Sequence, residues 1–317
     1  MSTSTIQFFD FHPPQGDFLA EVVQGLSQSP KSIPPKFLYD KQGAELFDAI
    51  CELDEYYLTR TEMQILQTHT AEIARLMGDS VLVEFGSGSS QKIRILLEAD
   101  PEIKTYIGLD ISKQHLLESC ESLAVLYPHL EVVAICADFT QPITLPESLE
   151  QRRKVGFFPG SSIGNVKPEG ARQILSHAAQ LLGKGGSLII GVDLKKEATI
   201  LEPAYQDSQG VSAAFALNLL TRINRELGSD FVIDQFGYQA VYNPLGRIEM
   251  SLVSLQPQTV TLKGQQFQFS EGEMLRTEFS YKYTIAEFQD LAASAGFHSK
   301  TLWTDPQGWF SVHYLTT

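Results

Sequence analysis

The sequence has few basic residues and a clear excess of acidic ones. Its 317 residues include 24 lysines and arginines against 38 aspartates and glutamates, which gives a net charge of −14. A protein that binds nucleic acid needs a cationic surface to neutralise phosphates. The composition therefore argues against a nucleic-acid partner and against docking on an anionic membrane surface. No stretch approaches the roughly 20 apolar residues that span a bilayer, so we expect no membrane segment.

Cysteine is also scarce. Cys51, Cys120 and Cys136 fit neither a CxxC pair nor a zinc-ligand pattern. The seven histidines form no metal-ligand pattern either. The amino terminus lacks the basic start and apolar run of a secretory signal. We therefore expect reduced structural thiols and no metal in a cytoplasmic protein. We also expect a monomer.

Short apolar runs alternate with helical patterns between residues 80 and 193. The predicted strands are 81–85, 104–110, 130–136, 154–158 and 187–193, and the predicted helices are 91–99, 113–127 and 170–182. Alternating strands and helices form βαβ units around a parallel sheet, whose strands are apolar on both faces. This region therefore predicts an open α/β domain.

The flanking regions follow different patterns. Residues 17–80 are predicted to be mainly helical, after an extended opening, with helix candidates at 44–53 and 59–77. An α+β module is predicted at 196–285, from a helix at 212–227 and extended segments at 238–243, 247–255, 265–268 and 276–283. The tail predicts a helix at 284–295 and then a hairpin, 299–304 and 309–315, around the turn-forming Asp305-Pro-Gln-Gly308.

The first strand of the α/β region ends in a glycine-rich turn, Val81-Leu-Val-Glu-Phe-Gly-Ser-Gly-Ser-Ser90. In open parallel sheets, ligands bind at the carboxyl ends of the strands, where glycines let the backbone approach them. Gly86 and Gly88 are therefore candidate nucleotide-binding residues. Gln91 stands where a dinucleotide motif would have its third glycine, so the alternative is a tight turn without a ligand.

Acidic residues end or follow the next two predicted strands. Asp110 can accept hydrogen bonds from both ribose hydroxyls, and Asp138 with Phe139 suits the exocyclic amine and the face of an adenine. Each acid alone is typical of a solvated strand end, but together with the glycine turn they favour an adenosine ligand. Both S-adenosyl-L-methionine and NAD carry adenosine, and the missing third glycine argues against NAD.

The terminal hairpin and the motif Glu84-Phe-Gly-Ser-Gly88 resemble class I methyltransferases. Further segments along the whole chain resemble the histidine-specific Nα-methyltransferases of ergothioneine biosynthesis. These segments are Ile33-Pro-Pro-Lys-Phe-Leu-Tyr-Asp40, Gly43-Ala-Glu-Leu-Phe47, Leu53-Asp-Glu-Tyr-Tyr-Leu-Thr-Arg-Thr-Glu62, Gly160-Ser-Ser-Ile-Gly-Asn165 and Thr277-Glu-Phe-Ser-Tyr-Lys282. Fungal proteins that resemble the same family methylate a prenylated tryptophan, so the substrate has to be argued from the pocket.

The resemblance implies an α/β architecture with two domains. A Rossmann-like class I methyltransferase domain would comprise residues 61–195 plus 286–317 and bind the cofactor. A second, α+β substrate-binding domain, formed by the N-terminal helices and an insertion, would comprise residues 10–60 plus 196–285. The implied cofactor is S-adenosyl-L-methionine, and the implied reaction converts L-histidine to Nα,Nα,Nα-trimethylhistidine (hercynine), the first step of ergothioneine biosynthesis.

Glu278 and Ser280 are the candidate partners of the histidine ring. They lie two residues apart in a predicted strand, so their side chains face the same side. Glu278 can accept a hydrogen bond from one ring N–H while Ser280 meets the other nitrogen. An indole has no second nitrogen and would leave Ser280 unpaired, at a cost of ~1–3 kcal/mol. The spacing alone favours a solvent-facing strand, and the resemblance reverses that preference.

The resemblance also implies roles for residues elsewhere. Met250 would form the apolar wall beside the ring, Tyr56 and Tyr205 would bind the substrate carboxylate, and Lys92 would meet the methionine carboxylate of the cofactor. Asn165 and Tyr39 would lie at the amine and are the candidate catalytic residues. The alternatives are a core methionine for Met250, ordinary packing for Tyr56, a solvated lysine for Lys92 and a helix cap for Asn165.

Methyl transfer from a sulfonium to nitrogen is an in-line displacement whose leaving group needs no acid, so positioning dominates. No histidine or lysine is placed as a base by the motifs. The aromatic faces of Tyr39 and Phe47 could accommodate a quaternary ammonium product. Three alternatives stay open: methylation of another aromatic amino acid such as tryptophan, a non-catalytic adenosine-binding module, and an NAD oxidoreductase.

Overall fold

The computed structural model describes residues 6–11, 16–88 and 90–317. The chain divides into two compact units. The first unit comprises residues 1–12, 58–195 and 281–317, and the second comprises residues 13–57 and 196–280. Among the described residues, no helix is both long enough and apolar enough to cross a bilayer.

The first unit contains a mixed sheet with a parallel centre. Its strands are β1 (Gln7–Asp10), β3 (Val81–Phe85), β4 (Thr105–Asp110), β5 (Glu131–Cys136), β6 (Lys154–Phe158), β7 (Ser187–Asp193), β13 (His298–Thr304) and β14 (Phe310–Thr316). They are ordered β1-β5-β4-β3-β6-β7-β14-β13, where β14 runs antiparallel to β7 and to β13. Every residue of β3, β6 and β7 is buried. The order reverses direction beside β3, which is the position where open α/β sheets bind ligands.

Helices flank this sheet. They are α3 (Tyr57–Thr68, in this unit from Leu58), α4 (Thr70–Met77), α5 (Gln91–Ala99), α6 (Lys113–Leu126), α7 (Glu147–Glu150), α8 (Pro168–Leu182) and α11 (Ile285–Ser294). Local signals account for several of the ends. Pro168 begins α8, and Gly183 ends it with a positive φ of 69°. Thr284 and Glu287 form a capping box at the start of α11.

The single helix predicted at 59–77 is wrong, because two helices, α3 and α4, meet at His69. The hydroxyl of Thr70 donates to the carbonyl of Leu66 at 2.7 Å. Such a side-chain bond offers the backbone an alternative to the regular helical ladder. His69 lies there with φ −106° and ψ 12° and stacks on Trp303, with the ring centroids 5.7 Å apart. A contact distant in sequence thus accompanies the break.

The second unit combines helices with a smaller sheet. Its helices are α1 (Gly16–Ser27), α2 (Lys41–Cys51), α9 (Ala198–Tyr205) and α10 (Val211–Leu227), with short 3₁₀ turns at Pro35–Leu38 and Ile233–Gln235. Its strands are β2 (Lys31–Ser32), β8 (Phe236–Asn243), β9 (Arg247–Ser254), β10 (Gln258–Leu262), β11 (Gln265–Phe269) and β12 (Met274–Tyr281, in this unit to Ser280). The sheet order is β2-β12-β9-β8, and β10 and β11 form a separate hairpin.

Strand β10 was not predicted. It pairs antiparallel with β11 across Lys263 and Gly264, which both have positive φ, 48° and 82°. Two positive φ values are the requirement of the tight hairpin turn that usually carries Asn-Gly or Asp-Gly. Lys-Gly is a weaker signal for the same geometry, which explains why the hairpin was missed.

Asp40 joins α2 to α10 in the second unit. Its carboxylate accepts from the backbone N of Gly43 at 2.8 Å, from Asn218 Nδ2 at 2.7 Å and from Arg225 Nη2 at 2.7 Å. Burial alone raises the pKa of Asp40, but the hydrogen bonds from Arg225, Gly43 and Asn218 outweigh it and lower the pKa overall. These bonds fix the backbone next to Tyr39.

The three cysteines are free thiols. Burial raises the pKa values of Cys120 and Cys136 to about 12. Both are therefore protonated and weakly reactive at neutral pH, in agreement with the structural role expected from the sequence.

Candidate functional site

The glycine turn brings together residues from three neighbouring strand ends of the first unit. Gly86 and Gly88 have φ values of 73° and 47°, which L side chains rarely adopt. The backbone N of Gly88 donates to Asp110 Oδ2 at 3.1 Å. A Cβ on Gly86 would lie 3.8 Å from the ring of Phe139. The turn after β3, the end of β4 and the segment after β5 therefore converge, as expected for a ligand-binding edge.

The two aspartates of this edge differ in their surroundings. Asp110 Oδ1 accepts from the backbone N of Ser112 at 2.8 Å, and burial raises the pKa of Asp110 despite this bond and the one from Gly88. Asp138 Oδ1 accepts from the N and Oγ1 of Thr140, at 3.0 and 2.6 Å. One oxygen of Asp138 thus accepts hydrogen bonds from Thr140, two residues further on. Asp110 instead accepts a hydrogen bond from the glycine turn.

A buried acid that the motifs did not single out lies beneath the turn. Glu84 is 1% exposed and accepts a hydrogen bond from Tyr106 OH at 2.6 Å. Burial raises the pKa of Glu84 to about 8. At pH 7 this carboxyl is therefore mostly protonated, so it adds little negative charge beside Asp110. In the sequence analysis Glu84 appeared only as the first residue of the glycine motif, and no function was predicted for it.

Lys92, in the first turn of α5, has an acidic partner within the protein. Its Nζ lies 2.6 Å from Oε2 of Glu62, and this same oxygen accepts from the backbone N of Gly160 at 2.9 Å. Glu62 is fully buried, and its other oxygen occupies the space that a Cβ on Gly191 would need. The solvated-lysine alternative is therefore wrong, because Lys92 is paired. Glu62 is the last residue of the segment 53–62 that carries the family resemblance, but the sequence analysis assigned it no function.

The residues around the turn fit an adenosine-containing cofactor. The hydroxyl of Ser87 is buried at this turn. Among the residues that the structure describes, none forms a hydrogen bond with it. The carboxylate of Asp110 lies at the same turn. The ring of Phe139 packs edge-on against Phe158, with the ring centroids 5.4 Å apart. An unsatisfied hydroxyl and an acid at a strand end can hydrogen-bond a nucleoside, and an aromatic ring can pack against its base.

Asn165 ends a 3₁₀ turn, Ser162–Asn165, that follows β6. The turn is held close to the chain, because a Cβ on Gly164 would lie 2.6 Å from the carbonyl oxygen of Tyr281. The backbone N of Asp193 donates to Ser161 Oγ at 2.9 Å. The helix-cap alternative for Asn165 is wrong, because the N-cap of α8 is Lys167.

Glu278 and Ser280 are buried on β12, at 8% and 3% exposure. The alternative of a solvent-facing strand is therefore wrong. Tyr205 OH lies 2.9 Å from Ser280 Oγ, and Tyr39 OH donates to Glu278 Oε1 at 3.5 Å. The structure thus brings together four of the residues that the sequence assigned to the substrate.

Aromatic rings surround these groups in what we call the aromatic cluster. Consecutive ring centroids lie 5.4–6.3 Å apart in the set Phe215, Tyr39, Phe47, Tyr56 and Tyr205. Burial raises the pKa of Tyr56 well above its usual value, so its hydroxyl stays uncharged. Phe215 was missed by the sequence reasoning, although it lies on the buried face of α10 and periodicity could have found it.

Met250 lies on β9, the neighbour of β12 in the sheet. Its side chain is buried, and its carbonyl accepts from Thr277 Oγ1 at 3.1 Å. This bond places the Met250 backbone beside Thr277, the residue that precedes Glu278. Its role as a wall for the ring stays a prediction.

Comparison with known proteins gives consistent matches over most of the chain. Residues 18–317 match the family model of the histidine-specific, S-adenosylmethionine-dependent methyltransferases. The histidine N-alpha-methyltransferase of Mycolicibacterium smegmatis is 40% identical, and that of Mycobacterium tuberculosis is 38% identical, each over 92% of both chains. A 4-dimethylallyltryptophan N-methyltransferase of Epichloe festucae var. lolii is 28% identical over 90% of both chains.

Proposed function

The chain belongs to the histidine-specific, S-adenosylmethionine-dependent methyltransferases, and we propose that it methylates the α-amino group of L-histidine. Three transfers give Nα,Nα,Nα-trimethylhistidine (hercynine), which starts ergothioneine biosynthesis. The observation that carries the proposal is the buried carboxylate and hydroxyl of Glu278 and Ser280 on one strand. We assign cofactor binding to the first unit and recognition of the ring to the second.

The chemistry of this pair favours an imidazole over an indole. An imidazole offers two polar ring atoms, one for the carboxylate and one for the hydroxyl. An indole offers one N–H and no second polar ring atom for Ser280, whose hydroxyl then keeps only its protein partners, among them Tyr205 OH at 2.9 Å. The ring hydrogen bond that is lost is worth about 0.5–1.5 kcal/mol, which is about a 2- to 13-fold loss of affinity. Enzyme sites built to hydrogen-bond a substrate group discriminate against analogues that lack this group.

The cofactor would be held by the glycine turn and its neighbours. Gly86 and Gly88 let the backbone approach the ligand, Asp110 would accept from the ribose, and Phe139 with Asp138 would receive the adenine. When bound, S-adenosylmethionine supplies an electrophilic methyl group on a sulfonium. Lys92 remains a candidate for its carboxylate, with Glu62 holding the ammonium in place at 2.6 Å.

The residues of this chain contribute orientation rather than acid–base chemistry. The amine must be neutral to attack, and Tyr56 is unsuited as a base because its pKa is raised by burial. We assign Tyr39 and Asn165 to orientation of the amine, as hydrogen-bonding groups that carry no charge. The aromatic cluster provides ring faces that stabilise a growing quaternary ammonium.

Mass spectrometry of methylated products tests this proposal. The purified chain with S-adenosylmethionine should convert histidine to its trimethyl derivative and leave tryptophan and tyrosine unmethylated. The variant Glu278→Ala should raise the KM for histidine about tenfold or more, because it removes a charge-assisted hydrogen bond to the ring. Glu249→Ala is the matched control, since Glu249 lies in the same sheet but pairs with Arg247.

Two results would contradict the assignment. Methylation of tryptophan in preference to histidine would favour a reaction like that of the tryptophan-type relative. Tight binding of the demethylated cofactor, S-adenosylhomocysteine, without turnover of any amino acid would indicate a non-catalytic adenosine-binding protein.

A further inference from the structure

A histidine of α8 is bonded to the segment that follows β5. His177 is half-buried, and its Nδ1 lies 3.1 Å from the carbonyl oxygen of Thr140. Because a carbonyl oxygen can only accept, Nδ1 carries the proton of this hydrogen bond. The sequence motifs do not include His177, and neither do the residues assigned to the cofactor.

Thr140 belongs to a tight turn that carries Phe139. The backbone N of Gln141 donates to the carbonyl of Asp138 at 3.0 Å, and the N and Oγ1 of Thr140 donate to Asp138 Oδ1. These bonds lie within the turn, so they fix its shape but not its position beside the glycine turn. The position depends on contacts with other elements, and the hydrogen bond from His177 is one of them.

The place of the Phe139 ring depends on the position of this turn. The ring is half-buried, packs edge-on against Phe158 with centroids 5.4 Å apart, and lies 3.8 Å from where a Cβ on Gly86 would be. The backbone next to the ring is tied to α8 through His177. Helix α8 is a firm support, because its apolar face is buried and it contacts β6.

We propose that His177 is a positioning residue for the adenine of the cofactor. Its Nδ1–H holds the turn after β5 and thereby keeps the Phe139 ring at the glycine turn. A ring that is already in place loses little freedom when the base packs against it, so affinity is higher. The inference rests on the proposed placement of the adenine at Phe139, and it adds a residue that acts through the Thr140 carbonyl.

Two substitutions separate the hydrogen bond from the bulk of the side chain. His177→Phe keeps a ring but removes the donor. His177→Asn keeps a donor, because its amide nitrogen is bonded to Cγ as Nδ1 is in histidine. Calorimetry measures the Kd of S-adenosylhomocysteine and of 5′-methylthioadenosine, which has the same adenosine but no amino-acid part. Tyr314→Phe is the matched control, because it removes a hydroxyl that donates to the main-chain carbonyl of Leu76 at 2.8 Å in the same unit.

The proposal expects His177→Phe to weaken both ligands about fivefold, the size of one neutral hydrogen bond. His177→Asn should stay within about twofold of the wild type. In the Phe139→Leu background His177→Phe should add less than about 1.5-fold, because the histidine acts through that ring. Tyr314→Phe should leave both Kd values unchanged. Near-UV circular dichroism and the melting temperature report folding, and His177→Leu is a second variant without the donor should His177→Phe not fold.

Four results would overturn the proposal. They are unchanged affinity in the variants without the donor, an equal loss in His177→Asn, a loss confined to S-adenosylhomocysteine, and full additivity with Phe139→Leu. A loss confined to S-adenosylhomocysteine would place the effect at the amino-acid part of the cofactor. Failure of the proposed function is a separate observation, since both Kd values are measured without histidine, whereas that failure appears as absent methylated histidine.

Discussion

Gly164→Ala is the substitution whose consequence follows most directly from the geometry. A Cβ at this position would lie 2.6 Å from the carbonyl oxygen and 3.1 Å from the backbone N of Tyr281. An ordinary contact begins near 3.4 Å, so the 3₁₀ turn and the Tyr281 backbone would have to separate by about 0.8 Å. Neither atom belongs to a flexible side chain that could rotate away. Asn165 is the next residue and would move with the turn.

The expected cost has two parts. Overpacking of this kind lowers the free energy of unfolding by about 1–3 kcal/mol. Displacement of a positioning group by about 1 Å can reduce turnover about a hundredfold. We therefore expect kcat for histidine to fall at least tenfold, while the Kd of S-adenosylhomocysteine stays within about twofold, since Gly86 and Gly88 are untouched. Steady-state kinetics, calorimetry and urea unfolding measure the three quantities.

Gly170→Ala is the matched control. It lies six positions further on, inside α8, where a Cβ would meet Val166 at 3.4 Å. Alanine favours a helix over glycine by up to about 1 kcal/mol, so this variant should be as stable as the wild type or more so, with unchanged kcat. If Gly164→Ala kept the wild-type kcat, the assignment of Asn165 to the reaction would be refuted. A comparable loss in Gly170→Ala would refute the steric argument.

Two further predictions concern buried titratable groups. The pKa of Glu84, about 8 in the folded state against 4.5 ordinarily, means that its stabilising contribution is complete below pH 4.5 and is lost as the pH rises through 8. The melting temperature of Glu84→Gln should consequently fall less than that of the wild type between pH 5 and 9, and parallel curves would disprove this. Cys51 is half-buried, whereas the pKa values of Cys120 and Cys136 are about 12. Iodoacetamide at pH 8 should alkylate Cys51 first, and mass spectrometry showing initial labelling of Cys120 or Cys136 would contradict the burial.

The central strands could be predicted because each carries its own signal. Val81–Phe85, Lys154–Phe158 and Ser187–Asp193 have the predicted bounds, since a parallel strand covered on both faces is a short apolar run between turn residues. Strand β1 could only be predicted as an extended opening. Its place beside β5 depends on backbone pairing, such as Gln7 with Val133, which leaves no local pattern.

The sequence predicted which residues form the candidate site, but it did not predict that their side chains are buried. The segment Glu278-Phe-Ser-Tyr-Lys282 alternates polar and apolar residues, as a solvent-facing strand does. Its last lysine is in fact fully buried, because Lys282 Nζ pairs with Asp193 Oδ2 at 2.6 Å, and Asp193 is also fully buried. A buried charge of this kind needs its partner, and that partner lies 89 positions away. Polarity along the strand therefore says nothing reliable about which side faces water.

The same reasoning explains why an acidic chain can hold so many polar groups away from water. Glu62 joins Lys92 to Gly160, Asp110 meets Gly88, and Tyr205 meets Ser280. In each case the two partners belong to different secondary-structure elements or turns of the same unit. Partners fixed by different elements pay little ordering entropy when a ligand binds, so the groups are already oriented. Removal of one partner leaves the other buried without its bond, so it should lower the stability of the folded chain as well as the affinity for a ligand.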